Sequence, residues 1–443
     1  MNESVTDTIC AVATPPGRGG IGVVRLSGPD AWAIGQTLTG RRPQARTALL
    51  VDVRGNDEQR IDQGLMVSFA APHSFTGEHV VELQLHGSPV LLEQVVRTAV
   101  AAGARRAEPG EFSQRAYLND KIDLAQAEAI ADLIDAATEH AARAAQRSLE
   151  GVFSERVHAL AEAMTRLRVW VEAALDFPDE DIDFLADGQV LASVDELIEQ
   201  TQQLLRVAEA GRILTDGIRV AIVGKPNAGK SSLFNALVQR NSAIVTDRPG
   251  TTRDVLRETI QLGGVPAVLA DTAGLRETED VVELEGVKRA QAELQAADLV
   301  LWVVDATEAD ADRVSLPAVS APVIRVDNKM DRLDRPPVAE PDRIAISALT
   351  GAGLAQLDEA VQRLLGIEVE SGRECSARAR HIEHIQTALV HVQTGRTELA
   401  ETQSGELLAE ELSRAATALG DITGQVHSDE LLGTIFSSFC IGK

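Results

Sequence analysis

The pattern of apolar and polar positions changes several times along the chain, and each change predicts a different kind of structure. Near the N-terminus, short strand-like runs such as Ile21–Leu26 and Val80–Leu85 are separated by turn-rich clusters such as Thr14–Gly17 and Pro72–Gly77. Runs bounded by Gly, Pro, Ser and Thr in this way are typical of strands joined by turns. Residues 1–119 are therefore expected to form an α+β domain.

A helical texture begins at Asp120, where Ala, Glu, Leu, Gln and Arg dominate. Small and apolar residues then recur at the three-to-four spacing of a buried helix face, which predicts helices over residues 120–213. The positions that show this spacing are Ile122, Ala125, Ala129 and Leu133. The same texture returns over residues 367–443.

Residues 214–366, between the helical stretches, alternate strand-like and helix-like segments. Such alternation is the signature of a parallel sheet covered by helices. The simplest organisation is a discontinuous helical domain, formed by residues 120–213 and 367–443, with an α/β domain inserted into it. The chain is thus expected to combine α/β and α+β architecture in several domains.

Composition and charge exclude several classes of protein. The 443 residues are 44% apolar and 25% charged, which fits a globular chain rather than a disordered or fibrous one. A net charge of −25 repels polyphosphates at long range, so any RNA contact must be local or assisted by a partner. The longest apolar run, Leu299–Val304, is far shorter than the roughly 20 residues that span a bilayer. Since the N-terminus also lacks a secretion signal, we expect a cytoplasmic protein without a membrane association.

A phosphate-binding loop is predicted at Gly224–Ser231, which reads GxxxxGKS between the strand-like run Arg219–Val223 and the helical run Ser232–Val238. In this context the backbone N–H groups and the helix N-terminus surround the phosphates, the lysine meets the β- and γ-phosphates, and the serine ligates magnesium. The candidate GTP-binding residues of this segment are Asn227, Ala228, Gly229, Lys230, Ser231 and Ser232.

A second motif, Asp271-Thr272-Ala273-Gly274, follows the strand-like run Val268–Ala270. Its aspartate can hold the magnesium shell and its glycine N–H can sense the γ-phosphate. Many small GTPases place a glutamine directly after this glycine to orient the attacking water. Here that position is Leu275, so the water must be oriented by another group, for which Glu283 in the acidic stretch Arg276–Gly286 is the candidate.

The base specificity is predicted by the N-K-x-D motif Asn328-Lys329-Met330-Asp331, which follows the strand-like run Val323–Val326. A carboxylate at Asp331 accepts hydrogen bonds from the ring N–H and the amino group of guanine, which adenine does not offer together. A further strand-like run, Ile344–Ile346, leads to Ser347, Ala348 and Leu349 at the edge of the base. Three motifs in this order on successive strand ends indicate a GTP site.

Several longer motifs show that the chain resembles the MnmE (TrmE) family of tRNA modification GTPases. They are Asp7-Thr8-Ile9 with ATPPGRGGIG, SFTGE at Ser74–Glu78, PGEFSQRA and LNDKIDLAQAEAI within Pro109–Ile130, GTTRD at Gly250–Asp254, DTAGLRET from Asp271, and the terminal FCIGK. The resemblance covers the whole chain. It implies an N-terminal folate-binding and dimerisation domain, a helical domain built from two segments, and an inserted GTPase domain.

The resemblance also implies cations and partners. Members work with a flavin-containing protein of the MnmG (GidA) type, in a heterotetramer or larger complex, to install an aminomethyl or carboxymethylaminomethyl group at C5 of the tRNA wobble uridine. Their GTPase domains dimerise with potassium bound, so a homodimer is implied. The potassium ligands implied by the motifs are Asn227, Thr246, Arg248 and Thr251, and Thr252 would join Ser231 on magnesium. Thr246, Thr251 and Thr252 would thereby belong to the GTP site, and Glu283 matches the family's catalytic glutamate.

A folate site is implied by the resemblance alone, at Arg25, Glu82, Lys121 and Lys443. The ligand would be a tetrahydrofolate derivative, either 5,10-methylene or 5-formyl. Glutamate suits the amino and ring N–H groups of a pterin, and cations suit the glutamate tail of a folate. The family places a reactive thiol near the folate, here Cys440 in the terminal motif.

Two other functional classes fit the sequence less well. A ribosome-assembly or other RNA-associated GTPase would carry a basic RNA-binding module such as a KH domain, and none follows the GTPase region in this sequence. A membrane-remodelling GTPase would need a basic amphipathic helix or an apolar anchor, whereas the helical segments here are acidic.

Overall fold

The computed structural model describes residues 7–176, 189–241, 257–271, 294–308, 321–333, 342–366, 375–424 and 429–437, together with the single positions 319, 340, 439 and 442. The chain divides into two compact units. The first comprises Met1–Ala131 and Gly420–Lys443, and the second comprises Asp132–Leu419. The ends of the chain therefore belong to one unit, and the continuous middle forms the other.

The first unit is built on a six-stranded sheet in the order β3-β4-β5-β2-β1-β6. Its strands are β1 (Ile9–Val12), β2 (Gly19–Ser27), β3 (Leu49–Arg54), β4 (Arg60–Phe69), β5 (Val80–Gly87) and β6 (Arg105–Arg106). The two strand-like runs of the sequence correspond to β2 and β5, which pair antiparallel and extend beyond the predicted limits. One face of this sheet is covered by α1 (Ala31–Thr39) and α2 (Pro89–Ala101), so the apolar side chains of alternate strand positions are buried there.

Residues near the C-terminus pack against the helices that follow this sheet. These helices are α3 (Glu111–Leu118) and α4 (Leu124–Asp135), and the last described helix of the chain is α12 (Asp429–Ser437). Tyr117, Phe436 and Phe439 form an aromatic group within one buried cluster, and the Tyr117 hydroxyl donates to the Gly424 carbonyl at 2.8 Å. Gly442 lies so close to β1 that a Cβ there would be 2.2 Å from the Val12 carbonyl oxygen.

The first unit also contains a buried ionic network around Arg115, whose side chain is only 2% exposed. Its guanidinium donates to Asp7 at 2.7 Å, to Glu111 at 3.0 Å and to Glu78 at 3.2 Å. Arg105 reaches two of the same carboxylates, Glu111 at 2.6 Å and Asp7 at 2.7 Å. Burial raises the pKa values of Asp7 and Glu111, but hydrogen bonds from the two arginines outweigh burial and hold both pKa values below their usual range.

The second unit contains a bundle of long helices. They are α5 (Glu139–Leu149), α6 (Val152–Asp176), α7 (Gln189–Asp216), α10 (Ala379–Thr402) and α11 (Gly405–Thr423), and α7 and α10 pack along each other. The segment 375–378 is held beside α5, where Ser148 Oγ donates to the Ser376 carbonyl at 3.0 Å. It also crosses α7 at Gly211, where a Cβ would be 2.0 Å from the Cys375 carbonyl oxygen. Only glycine permits this approach of two backbones.

Inserted between α7 and segment 375–378 is a second six-stranded sheet, in the order β12-β11-β10-β7-β9-β8. The strands are β7 (Ile218–Val223), β8 (Arg257–Leu262), β9 (Val265–Asp271), β10 (Leu299–Asp305), β11 (Val323–Asn328) and β12 (Arg343–Ala345). All described neighbours are parallel except the edge pair of β8 and β9. The predicted inserted α/β domain with a mostly parallel sheet is therefore confirmed.

Helices on this sheet include α8 (Lys230–Asn241) and α9 (Leu354–Leu364). The sequence placed the first of these at Ser232–Val238, whereas the helix begins two residues earlier, within the phosphate-loop motif itself. The core between sheet and helices consists mainly of buried Leu, Ile and Val side chains. Among the helices of the described residues, none has both the length and the apolar character needed to cross a membrane.

Replacing Arg115 by methionine should destabilise the first unit strongly, because three carboxylates would lose their buried cation. We expect a loss of about 3–5 kcal/mol in the free energy of unfolding at pH 7, measured by urea denaturation. Because the pKa values of Asp7 and Glu111 are lower in the folded protein than in the unfolded chain, their ionised carboxylates stabilise the fold at any pH above the unfolded-state pKa values. This stabilisation is lost as the pH falls through the folded-state pKa values. The deficit of the variant should therefore persist down to about pH 4.5 and shrink only as the pH falls below about 4.

Arg105→Met is the matched control, because it removes the neighbouring guanidinium, whose side chain is 45% exposed. Its cost should be only about 1 kcal/mol or less. Equal losses in the two variants would contradict the central role of the buried arginine.

Candidate functional site

The candidate site lies at the carboxyl ends of the parallel strands β7, β10, β11 and β12, where open α/β sheets bind their ligands. The loop after β7 carries two glycines that no other residue could replace without displacing a neighbour. At Gly224 (φ 155°) a Cβ would lie 2.2 Å from the Val303 carbonyl oxygen, and at Gly229 (φ 99°) it would lie 2.1 Å from Asn328 Nδ2. Between them, Asn227 adopts a left-handed conformation with φ 65°.

The Lys230 side chain folds back over this loop, and its ammonium donates to the carbonyls of Gly224 at 2.8 Å and Lys225 at 2.9 Å. Lys230 is also the first residue of α8, so the first backbone N–H groups of the helix point into the same region. Ser231 and Ser232 are exposed on that first turn. An ammonium, the first N–H groups of a helix and the positive end of its dipole together suit a phosphate chain.

Asn328, at the end of β11, links three loops. Its side chain is almost fully buried, its Nδ2 donates to the Ala228 carbonyl at 3.1 Å, and its Oδ1 accepts from the Ala348 N–H at 3.0 Å. One amide side chain therefore holds the phosphate loop, the N-K-x-D loop and the loop after β12 in register. The structure thus brings together residues that are more than a hundred positions apart.

Asp331, which the sequence assigns to recognition of the base, is exposed in the loop after β11. Its Oδ1 accepts from Ser347 Oγ at 2.6 Å, and Ser347 Oγ accepts from the Thr350 N–H at 3.2 Å. These bonds fix one carboxylate oxygen of Asp331, which leaves the other oxygen as an acceptor. Leu349 follows with 84% of its surface exposed, where it can flank a planar ring.

Two aspartates that sequence analysis missed support the loop that carries the N-K-x-D motif. Asp327 is 1% exposed and accepts from Arg325 Nε at 2.8 Å and Arg343 Nε at 2.5 Å, which ties β11 to β12 directly below the motif. Asp305, at the end of β10, contacts the Lys329 ammonium at 2.5 Å. Burial raises the pKa of Asp305, but hydrogen bonds from Lys329 and Thr307 outweigh burial and lower the pKa below its usual value.

The implied folate residues of the first unit are also brought together in part. Arg25 on β2 stands opposite Glu82 on β5, and its Nε donates to Glu82 Oε1 at 2.9 Å. The Arg25 guanidinium also lies over the rings of Phe75 at 5.8 Å and Phe112 at 5.6 Å. Lys121 is exposed in the same unit, and its ammonium donates to the Pro72 carbonyl at 3.2 Å.

Several sequence-predicted residues lie outside the described part of the chain. They are Thr246, Arg248, Thr251, Thr252, Thr272, Ala273, Gly274, Glu283, Cys440 and Lys443. For Asp271 the backbone is described at the end of β9, but the side chain is not. These assignments stay predictions.

Comparison with known proteins gives matches along nearly the whole chain. A model of the "GTP-binding protein TrmE N-terminus" matches residues 8–121, and a model of the "MnmE helical domain" matches residues 124–440. A "tRNA modification GTPase MnmE" from Stutzerimonas stutzeri is 50% identical over 99% of each chain. Its namesake from Hydrogenovibrio crunogenus is 49% identical over the full length of both.

Among solved structures, the G domain of the T. maritima FeoB iron transporter is similar to a part of the chain. It is 25% identical, with a TM-score of 0.25, and the match covers 33% of this chain and 98% of that one. At this score the likeness adds nothing to the fold described above.

Replacing Asp331 by asparagine should shift the preference from GTP towards xanthosine triphosphate. The amide offers a donor where guanine has a donor and xanthine has an acceptor, so the pairing is reversed. We expect GTP to bind at least tenfold more weakly, since a donor group of guanine would then face a donor group of the protein instead of an acceptor. Competition binding with the two nucleotides measures the shift, and an unchanged preference would contradict the assignment of the N-K-x-D motif.

Proposed function

The chain belongs to the MnmE family of tRNA modification GTPases, and we propose that it is a potassium-dependent GTP hydrolase that acts with a flavoprotein partner on the wobble uridine. Its enzymatic activity is the hydrolysis of GTP in tRNA modification. The finer proposal is that a folate one-carbon unit supplies the methylene of an aminomethyl or carboxymethylaminomethyl group at C5 of that uridine. Full-length identity to named tRNA modification GTPases favours this function over a ribosome-assembly GTPase.

The observation that carries the GTP part of the proposal is the bridge made by Asn328. Because this side chain joins the phosphate loop to the base loops, a nucleotide can be held at both ends by groups already in place. Asp331 then selects guanine, while Lys230 and the first turn of α8 bind the phosphates. Preorganised donors of this kind stabilise the charge that develops during phosphoryl transfer.

Magnesium and potassium fit the oxygen-bearing side chains of the phosphate loop. Ser231 presents an exposed hydroxyl on the first turn of α8, next to the proposed phosphate site, and hydroxyl oxygens suit magnesium. Asn227 presents an exposed amide from a left-handed loop position. A potassium ion bound by Asn227, with Thr246, Arg248 and Thr251 as further proposed ligands, would offset negative charge between the phosphates. Leu275 stands where many small GTPases have the glutamine that orients the attacking water, and we assign this role to Glu283 instead.

The pair of Arg25 and Glu82 fits the chemistry of a folate. Both contacts from Arg25 go to Glu82 Oε1, so Oε2 is left to accept from the N–H groups of a pterin. Arg25 already packs over the exposed ring of Phe75, which offers a flat apolar face for a second planar ring. Lys121 and Lys443 would hold the carboxylates of the glutamate tail, and Cys440 would act near the one-carbon unit.

The proposed partners follow from family membership and from charge. We assign folate binding and dimerisation to residues 1–119, so the active species would be a homodimer. We place this homodimer in the cytoplasm. An MnmG-type flavoprotein would complete the complex. With a net charge of −25, the chain itself disfavours tRNA, so the partner must supply much of the basic surface that holds this substrate.

Hydrolysis of GTP should be at least roughly tenfold faster in potassium than in sodium at equal ionic strength, because a fitted cation offsets transition-state charge. Asn227→Gly should abolish the difference, since glycine keeps the left-handed backbone but removes the ligand. Phosphate release measured in the two salts tests this.

Lys225→Met is the control for the potassium experiment, because Lys225 lies in the same loop, is exposed and contacts Glu308 at 3.7 Å. This variant should keep the preference for potassium. Equal rates of the unmodified protein in the two salts would refute the potassium proposal while leaving GTP hydrolysis intact.

The variant Glu82→Gln should separate the two halves of the reaction. We expect GTP turnover within about threefold of wild type, because the folate site does not touch the phosphates. Binding of 5-formyl-tetrahydrofolate, measured by calorimetry, should weaken at least roughly tenfold since a charge-assisted acceptor is lost. Wobble-uridine modification, measured by mass spectrometry with the flavoprotein present, should fall with it.

Asp52→Asn gives a matched control on the same sheet. Asp52 on β3 contacts Arg60 at 3.5 Å, and the two side chains are 36% and 60% exposed. Its loss should change neither folate binding nor modification. Normal folate affinity in the Glu82 variant would remove this residue from the site.

A further inference from the structure

Asp305 ends β10 directly beside the N-K-x-D motif. In the pairing of β10 with β11, Asp305 stands opposite Asn328, and the Ala306 N–H donates to the Asn328 carbonyl at 3.0 Å. The strand pairing therefore fixes the position of the Asp305 backbone relative to the base-recognition loop. Its carboxylate Oδ2 contacts the Lys329 ammonium at 2.5 Å.

Lys329 spans the gap between this carboxylate and the phosphate loop. Its ammonium also donates to the Asn227 carbonyl at 2.8 Å, and its backbone has a left-handed conformation with φ 68°. A lysine side chain has many rotamers, and holding it in one of them costs entropy whenever a ligand binds. The contacts with Asp305 and Asn227 hold Lys329 in one rotamer before a nucleotide binds, so this entropy is not lost on binding.

The carboxylate of Asp305 is itself fixed in direction. Its Oδ1 accepts from Thr307 Oγ1 at 2.6 Å and from the Thr307 N–H at 3.0 Å, and the side chain is 11% exposed. These two bonds leave Oδ2 aimed at Lys329. A rigid and partly buried anion is the kind of group that can hold a flexible cation in place.

We propose that Asp305 is a positioning residue for guanine nucleotides, which holds the Lys329 ammonium against the Asn227 carbonyl and thereby preorganises the binding site. This inference rests on the proposed placement of Lys329 in the nucleotide site. Asp305 holds Lys329 in the same position when GTP binds and during hydrolysis, so it stabilises the bound ground state and the transition state equally. Its loss should therefore raise KM and leave kcat nearly unchanged.

The test compares Asp305→Asn with Asp298→Asn. Asp298 precedes β10 at its other end, is exposed and accepts from the Arg219 N–H at 2.8 Å, so the control removes the same charge beside the same strand. With fluorescent GDP as the probe, we expect the dissociation rate constant and Kd of the Asp305 variant to rise at least roughly tenfold. KM for GTP should rise in parallel, while the Asp298 variant should keep wild-type values.

Thr307→Val provides a second variant that keeps the carboxylate but removes one of the bonds that aim it. It should raise the Kd for GDP in the same direction by a smaller factor. A Kd of the Asp305 variant within about twofold of wild type, or a fall in kcat at constant KM, would overturn the proposal.

Lys329→Met separates this inference from the assignment on which it rests. Weak GDP binding in that variant together with normal binding in the Asp305 variant would overturn only the positioning role. Normal GDP binding in the Lys329 variant would overturn the nucleotide site at Lys329 and the positioning role with it.

Discussion

The candidate nucleotide site depends on the approach of Asn328 to the predicted phosphate loop. The amide nitrogen of Asn328 occupies the space that a side chain at position 229 would need, so the contact between Asn328 and this loop requires glycine there. This contact in turn holds the loops after β7 and β11 together as parts of one site. Because the same side chain accepts from Ala348, moving any of the three loops would leave a buried polar group without a partner. Such a loss costs about 1–3 kcal/mol for each group, which makes the arrangement stiff.

Buried carboxylates play a second structural role, as anchors for cations rather than as catalysts. Arg115 in the first unit is held by Glu78 and Glu111, whose side chains are 14% and 10% exposed. Arg325 and Arg343 on β11 and β12 are held by Asp327, which is 1% exposed. A desolvated ion pair adds little net stability, but breaking it is expensive. The networks therefore specify which backbone segments meet, and in an acidic chain they keep the few buried charges compensated.

Sequence analysis predicted the elements whose signal is local. The strands β7 and β11 and the start of α8 were found because apolar runs lead directly into phosphate- and base-binding motifs, and the limits were wrong by only a few residues. Asp305 and Asp327 were missed, although both stand at the end of apolar strand runs, because their partners are set by strand pairing and not by sequence spacing. The Arg115 network was missed for the same reason, since Asp7 is far from it along the chain. A carboxylate that ends a parallel strand next to N-K-x-D is the signal that could have found Asp305.

The crossing at Gly211 has a consequence for how the second sheet is connected to the helical bundle. The chain leaves the helical bundle just after this residue, through the end of α7, and re-enters it at Cys375, whose carbonyl lies against Gly211. Exit and return are thus neighbours in space, as the termini of independent domains often are. The segment between these two points therefore leaves the path of the surrounding helices unchanged, because the chain returns to the bundle beside the place where it left. The crossing itself requires that residue 211 be glycine, because any side chain there would collide with the carbonyl of Cys375.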